Sequence, residues 1–180
     1  MKKIIAFAGS NSKNSINADL ITHVATQITS ASVSVIDLKV LEIPMYSIDI
    51  ETEQGFPVDA TILKNKILES EGVILSVNEH NGSVSAFFKN ILDWLSRVDR
   101  NFLSDKKILL MSTSPGARGG KTALEFAKEV LPRFGGTVVE SFSFPSFQDN
   151  FDTSTHTITN PALAIGVGEV IASFLQEIEG

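Results

Sequence analysis

The chain has 180 residues, 43% hydrophobic and 20% charged, the make-up of one ordinary globular domain with a sizeable core. A net charge of −6 argues against nucleic acid or an anionic membrane as main partner, because both call for basic surface. The absence of cysteine excludes disulfides, thiolate metal sites, iron–sulfur clusters and a cysteine nucleophile. Met1-Lys2-Lys3 leads directly into a short apolar run, unlike a signal segment, and no apolar run of membrane-spanning length is expected, so the expected location is the cytoplasm.

In chain order, Lys3–Ala8 reads as a buried strand. A helix is predicted over Ile16–Thr29, with Ile16, Leu20, Val24 and Ile28 on one face. The β-branched segment Val33–Asp37 is the second strand, and Leu41–Pro57 reads as a loop. A helix over Ala60–Ser70 leads to a third strand, Gly72–Val77. Ser83–Val98 is an apolar-rich helix, Lys107–Ser112 a fourth strand, and Gly120–Phe134 a helix stopped at Gly135-Gly136. Thr137–Ser141 is the fifth strand and Pro161–Ile178 the closing helix.

Strand and helix alternate throughout, and the first, third and fourth strands are near-continuous apolar runs, as in strands covered on both faces. The expectation is an α/β three-layer sandwich with a five-stranded parallel sheet of flavodoxin-like order 2-1-3-4-5. Its ligand belongs at the carboxyl ends of strands 1, 3 and 4, where three polar loops stand.

The first loop, Gly9–Asn17, is crowded with hydroxyl and amide groups just before a helix, the make-up of an anion cradle; Ser10, Ser12, Ser15 and Asn17 can hydrogen-bond phosphate oxygens. Ser15 also suits a plain N-cap, with the rest of the loop solvated. The second loop, Asn78-Glu79-His80-Asn81-Gly82, carries the Asn-Gly turn signal and exposes backbone groups on which a planar heterocycle could dock. Glu79 and His80 are adjacent, so they converge poorly on one metal ion, and His80 has no visible partner for acid catalysis. The third loop, Ser112–Thr122, ends in Gly-Lys-Thr, but Pro115 stands where a Walker A motif needs its first glycine, and nucleoside-triphosphate hydrolysis is rejected. Its glycines suit close backbone approach to a flat ligand.

Together the loops resemble the NADPH-dependent FMN reductase family, which includes quinone, azo-dye and chromate reductases. That family opens with Gly-Ser-x-Arg-x-x-Ser-x-Asn, matched at Gly9, Ser10, Ser15 and Asn17, with Ser12 in place of the arginine. Its second motif, Pro-Glu-Tyr-Asn-Gly-Ser followed by Leu-Lys-Asn and Asp-Trp, corresponds to Asn78–Ser83 and Phe88–Trp94. Its third corresponds to Ser112–Gly120. The resemblance implies a single FMN-binding domain over 1–180. Ser10, Ser12, Ser15 and Asn17 would hold the FMN phosphate, with Lys13 substituting for the arginine; Asn78, Glu79, His80, Asn81 and Gly82 would meet the ring edge; Ser112, Thr113, Ser114, Gly116 and Gly119 would line the other side.

The implied activity is ping-pong hydride transfer from NADPH or NADH to the flavin, then to a small-molecule acceptor that is quinone-like, azo, a metal oxyanion or free flavin. No acid or base side chain is required, and no catalytic residue or metal ligand is named. A flavodoxin-type electron carrier and a non-catalytic flavin binder are the alternatives; the candidate loops hold no aromatic to cover the ring, which favours the reductase. The family forms homodimers or homotetramers, and the Ser83–Val98 helix is the candidate interface, although its Phe87, Phe88 and Trp94 equally suit plain core. Phe142, Phe144, Phe147 and Phe151 form a cluster that could shape the acceptor pocket.

Overall fold

A computed structural model describes residues 1–180. Strands β1 (Lys3–Ala8), β2 (Ser32–Ile36), β3 (Gly72–Val77), β6 (Lys107–Thr113) and β7 (Thr137–Phe144) form one parallel sheet in the order β2-β1-β3-β6-β7. This is the flavodoxin-like order. All of β3, and all of β1 but Lys3, are buried, because helices cover both faces.

Two hydrophobic clusters fill the layers. On one face, α3 (Val58–Leu68), α4 (Ala86–Val98) and α5 (Lys121–Val130) set Leu63, Ile67, Phe88, Leu92, Leu95 and Leu124 against the sheet. On the other, α1 (Ile16–Gln27) and α7 (Pro161–Glu179) contribute Leu20, Val24, Ile171 and Phe174. By composition α7 is long and apolar enough to cross a membrane, contrary to the expectation of no such run. Here its Val167, Ile171, Phe174 and Ile178 pack as one face of the core.

The elements left unpredicted have little apolar period to reveal them. Within the expected 41–57 loop lies α2 (Ile48–Gln54), which has no buried residue. It starts at Ser47, whose side chain accepts the Asp49 amide, and stops at Gly55 at φ +77°. Polar groups hold this strap to α4. Arg97 donates to both Glu51 oxygens at 2.8 Å, the Tyr46 hydroxyl donates to Glu51 at 2.9 Å, and the Trp94 indole donates to the Pro44 carbonyl at 2.8 Å. The Arg97 bonds hold the Glu51 carboxyl below the usual carboxylate range, and the bond to Glu51 raises the Tyr46 hydroxyl.

Other boundaries shift for local reasons. Ser83 and Val84 are not helical but form β5, paired antiparallel with β4 (Glu79–His80); Asn81 and Gly82 make the turn at φ +51° and +76°, and Ser85 caps α4. α5 passes into a 3-10 turn, Leu131–Phe134, where Pro132 cannot continue the helix, and Gly135 closes it at φ +93°. After β7, α6 (Phe147–Asn150) and a small hairpin of β8 (Phe151–Asp152) and β9 (Thr157–Ile158) precede α7. Phe88 and Trp94 lie in the protomer's own core, as do Phe144, Phe147 and Phe151. They are therefore neither an exposed interface nor an acceptor pocket.

Candidate functional site

The carboxyl ends of β1, β3 and β6 bring the three polar loops together around a cleft of about 300 Å³. Of the predicted site residues, Ser10, Ser12, Ser15, Asn17, Asn78, Glu79, His80, Thr113 and Ser114 line it. Asn14, Ile16, Pro115 and Gln148 join them. Asn14 lay inside the first predicted loop. Gln148 comes from α6, beyond the last predicted strand, and no sequence signal tied it to the site.

Gly9 opens the first loop because Phe88 presses against it: a Cβ there would lie 2.8 Å from the Phe88 Cγ. Its carbonyl accepts the Ser85 hydroxyl at 2.7 Å, which joins the first loop to the start of α4. Ser15 is the N-cap of α1, accepting the Ala18 amide at 3.2 Å. The Asp19 amide turns to the Ser15 carbonyl at 3.0 Å. That leaves the amides of Ile16 and Asn17 at the positive end of the helix, beside the Ser10 and Ser12 hydroxyls.

Asn17 fastens the cleft floor. Its Oδ1 accepts the Ser76 hydroxyl at 2.7 Å and the Thr113 amide at 3.2 Å, while its Nδ2 donates to the Thr113 carbonyl at 3.3 Å. One side chain thus ties α1 to the ends of β3 and β6. Buried groups with these partners cannot rotate away cheaply, so the three loops keep their spacing.

Glu79 lines the cleft, but one of its carboxylate oxygens is committed to a helix. The Oε2 accepts the Thr122 amide at 2.9 Å and the Ala123 amide at 3.3 Å, at the start of α5. That helix begins at Gly120 in the left-handed region with no side-chain cap of its own. Glu79 is therefore its cap, supplied by the hairpin, and it anchors the second loop to the third. The side chains of Asn78 and His80 meet at 3.2 Å, Nδ2 to Nε2, which gives the histidine a partner the sequence did not show. Asn78 is buried, and its Oδ1 has no hydrogen-bond partner.

The remaining predicted positions lie off the cleft wall. Asn81 and Gly82 form the hairpin tip, and Lys13 is exposed within the first loop. The buried Ser112 hydroxyl donates to the Gly119 carbonyl at 2.7 Å. A Cβ on Gly119, at φ +58°, would sit 2.6 Å from the Phe144 carbonyl, so this glycine serves close packing on β7. Gly116 is exposed, and its carbonyl accepts the Gly119 and Ser146 amides. Thr113 lines the cleft, but its hydroxyl donates to the Phe144 carbonyl at 2.9 Å.

This donor set suits a phosphorylated heterocycle. One end offers hydroxyls and helix amides for an anion; the other offers a carboxamide and an imidazole for a polar ring edge. The unpartnered Asn78 oxygen marks a place for a ligand N–H.

Comparison with known proteins agrees with this chemistry. The model of the NADPH-dependent FMN reductase family matches residues 2–149. The quinone reductase of Escherichia coli (strain K12) is 29% identical over 164 residues, covering 85% of this chain and 87% of that protein. An NADPH:quinone oxidoreductase of Arabidopsis thaliana is 32% identical over 123 residues, 67% of this chain and 62% of that protein. Among solved structures, FerB, a flavoenzyme NAD(P)H:(acceptor) oxidoreductase from Paracoccus denitrificans, aligns with a TM-score of 0.81 at 23% identity, covering 99% of this chain and 98% of that one, and shares the fold. The chain belongs to the NADPH-dependent FMN reductase family and is an NAD(P)H-dependent flavin oxidoreductase.

Proposed function

We propose that FMN is held in the three-loop cleft, its phosphate at the head of α1 and its ring between the second and third loops. The observation that carries this reading is the uncommitted start of α1. Ile16 and Asn17, whose backbone amides have no backbone acceptor, line the cleft together with Ser10, Ser12 and Ser15, and the Glu79 carboxylate is engaged by the α5 amides. Lys13 adds positive charge within the loop.

Bound there, the flavin supplies the hydride chemistry between NAD(P)H and the acceptor. The protein's part is to bind and orient. Ser10, Ser12 and Ser15 hold the phosphate, Asn78 and His80 meet the ring edge, Thr113 and Ser114 flank it, and Asn17 and Glu79 keep the walls in place. No cleft side chain has to carry a proton for this cycle. Donor and acceptor would use the same exposed ring face in turn.

For the acceptor we infer a small quinone-like molecule, by analogy with the quinone activity that the Escherichia coli and Arabidopsis relatives are named for. We also place the enzyme in the cytoplasm as a homo-oligomer. With Phe88 and Trp94 inside the core, the exposed Met45, Ile48 and Phe56 of the α2 strap and Val58 at the start of α3 are better placed than α4 for contact between copies.

The test is a fluorescence titration of apoprotein with FMN. The Ser10→Ala/Ser15→Ala double variant should bind FMN at least about tenfold more weakly while its far-ultraviolet circular dichroism is retained. Unchanged affinity would overturn the phosphate assignment.

A further inference from the structure

Asn78 and His80 stand two residues apart in extended chain, so their side chains leave on the same side. They touch, with Asn78 Nδ2 3.2 Å from His80 Nε2. Asn78 is 8% exposed, and its Oδ1 is the one buried side-chain oxygen or nitrogen in the chain without a hydrogen-bond partner. Folded proteins rarely leave such an acceptor without a donor.

As the amide is oriented, its contact to His80 runs through Nδ2 and leaves Oδ1 without a donor. The Ser76 hydroxyl donates to Asn17, and Glu79 is turned to accept the α5 amides. Both Asn78 and His80 line the cleft, so the missing donor is sought in the cleft's occupant.

The oxidised flavin ring has a single N–H, at N3, between two carbonyls. A carboxamide matches such an imide, acceptor to N–H and amide hydrogen to carbonyl. Resting on the FMN reading above, we propose that Asn78 reads the imide edge of the flavin: its Oδ1 accepts N3–H, and an Nδ2 hydrogen serves a flanking ring carbonyl. His80 is the cover on this amide. Its exposed ring is held by the one contact to Asn78, so it can turn aside and admit the ring edge. The resembling motif has proline and tyrosine at these two positions and so offers no carboxamide. The device belongs to this chain's own substitutions.

The test compares FMN with 3-methyl-FMN, in which the N3–H is replaced, by fluorescence titration of wild-type apoprotein and of Asn78→Leu. Leucine keeps the side chain's size and removes its polar atoms. In the wild type, N3-methylation should weaken binding by about tenfold or more; in Asn78→Leu, FMN itself should bind about tenfold more weakly, and methylation should cost less than about threefold. A penalty equal in both proteins would make the methyl effect purely steric and overturn the proposal while leaving FMN binding intact. Equal binding of the two flavins by the wild type would also overturn it, as expected if the amide is turned so that Oδ1 accepts an Nε2–H of His80. The wild-type arm needs no variant to fold. Absence of FMN binding by the wild type would instead overturn the proposed function, and this inference with it.

Discussion

Two helices begin beside the cleft, and they treat their first turns differently. At α1 the Ser15 cap satisfies only the Ala18 amide, and the Ile16 and Asn17 amides have no backbone acceptor on residues that line the cleft with Ser10 and Ser12. At α5 the Thr122 and Ala123 amides are closed by the Glu79 carboxylate, reaching over from the hairpin. Both helices follow loops rich in small polar residues and glycine, and the α5 loop even ends in Gly-Lys-Thr. The difference shows that a phosphate-like loop sequence does not by itself make a phosphate site. What matters is whether the protein's own anion already occupies the helix end.

The strongest way to break this contrast is to close α1 as α5 is closed. Ser15→Asp keeps the N-cap and puts a carboxylate where the phosphate should sit, so FMN affinity should fall about a hundredfold or more by charge repulsion. Thermal unfolding of the apoprotein should stay within about 1 kcal/mol of wild type, since Ser and Asp are comparable caps. A variant that still binds FMN tightly would place the phosphate elsewhere.

The opposite change sharpens the contrast. Ser12→Arg restores the guanidinium of the resembling motif beside the open helix end. It should tighten FMN binding by about tenfold through a charge-assisted pair, read as a slower flavin dissociation rate. Glu79→Ala should act more modestly, through geometry. Loss of the α5 cap should cost about 1–2 kcal/mol in denaturant unfolding and weaken FMN several-fold as the hairpin loosens, and Glu79→Gln should restore part of both.

The smallest effect concerns the strap rather than the cleft. The Arg97 bonds lower the folded Glu51 carboxyl, the Lys3 amide lowers Glu71, and the Ser154 bonds lower Asp152. A lowered folded value contributes stability above the unfolded value, and that contribution disappears as pH falls through the folded one. Stability should therefore decline on acidification from the ordinary carboxyl range downward. Glu51→Gln should make that decline shallower in a series of urea melts taken at descending pH, and equal slopes would show that the ion pair carries no pH-linked stability.

The strands and the meeting of the three loops were legible because β1, β3 and β6 are apolar runs that end in polar loops, and parallel topology fixes which ends meet. Residues whose roles depend on distant partners were not legible. The Asn17 side chain looked like a phosphate ligand, but its carboxamide engages Ser76 and Thr113 from other strands. Glu79 looked like a ring contact, yet it caps a helix 43 residues on. Short α2 buries nothing and so leaves no hydrophobic period, and Gln148 reaches the cleft only because the chain after β7 turns back over it.

The most direct test is an absorption spectrum of the protein after FMN is added and the excess removed, followed anaerobically as NADPH is introduced. A yellow protein whose flavin band bleaches on NADPH addition is the predicted result. A colourless protein, or bound flavin that NADPH leaves oxidised, would contradict a cleft built to hold FMN for reduction by a nicotinamide.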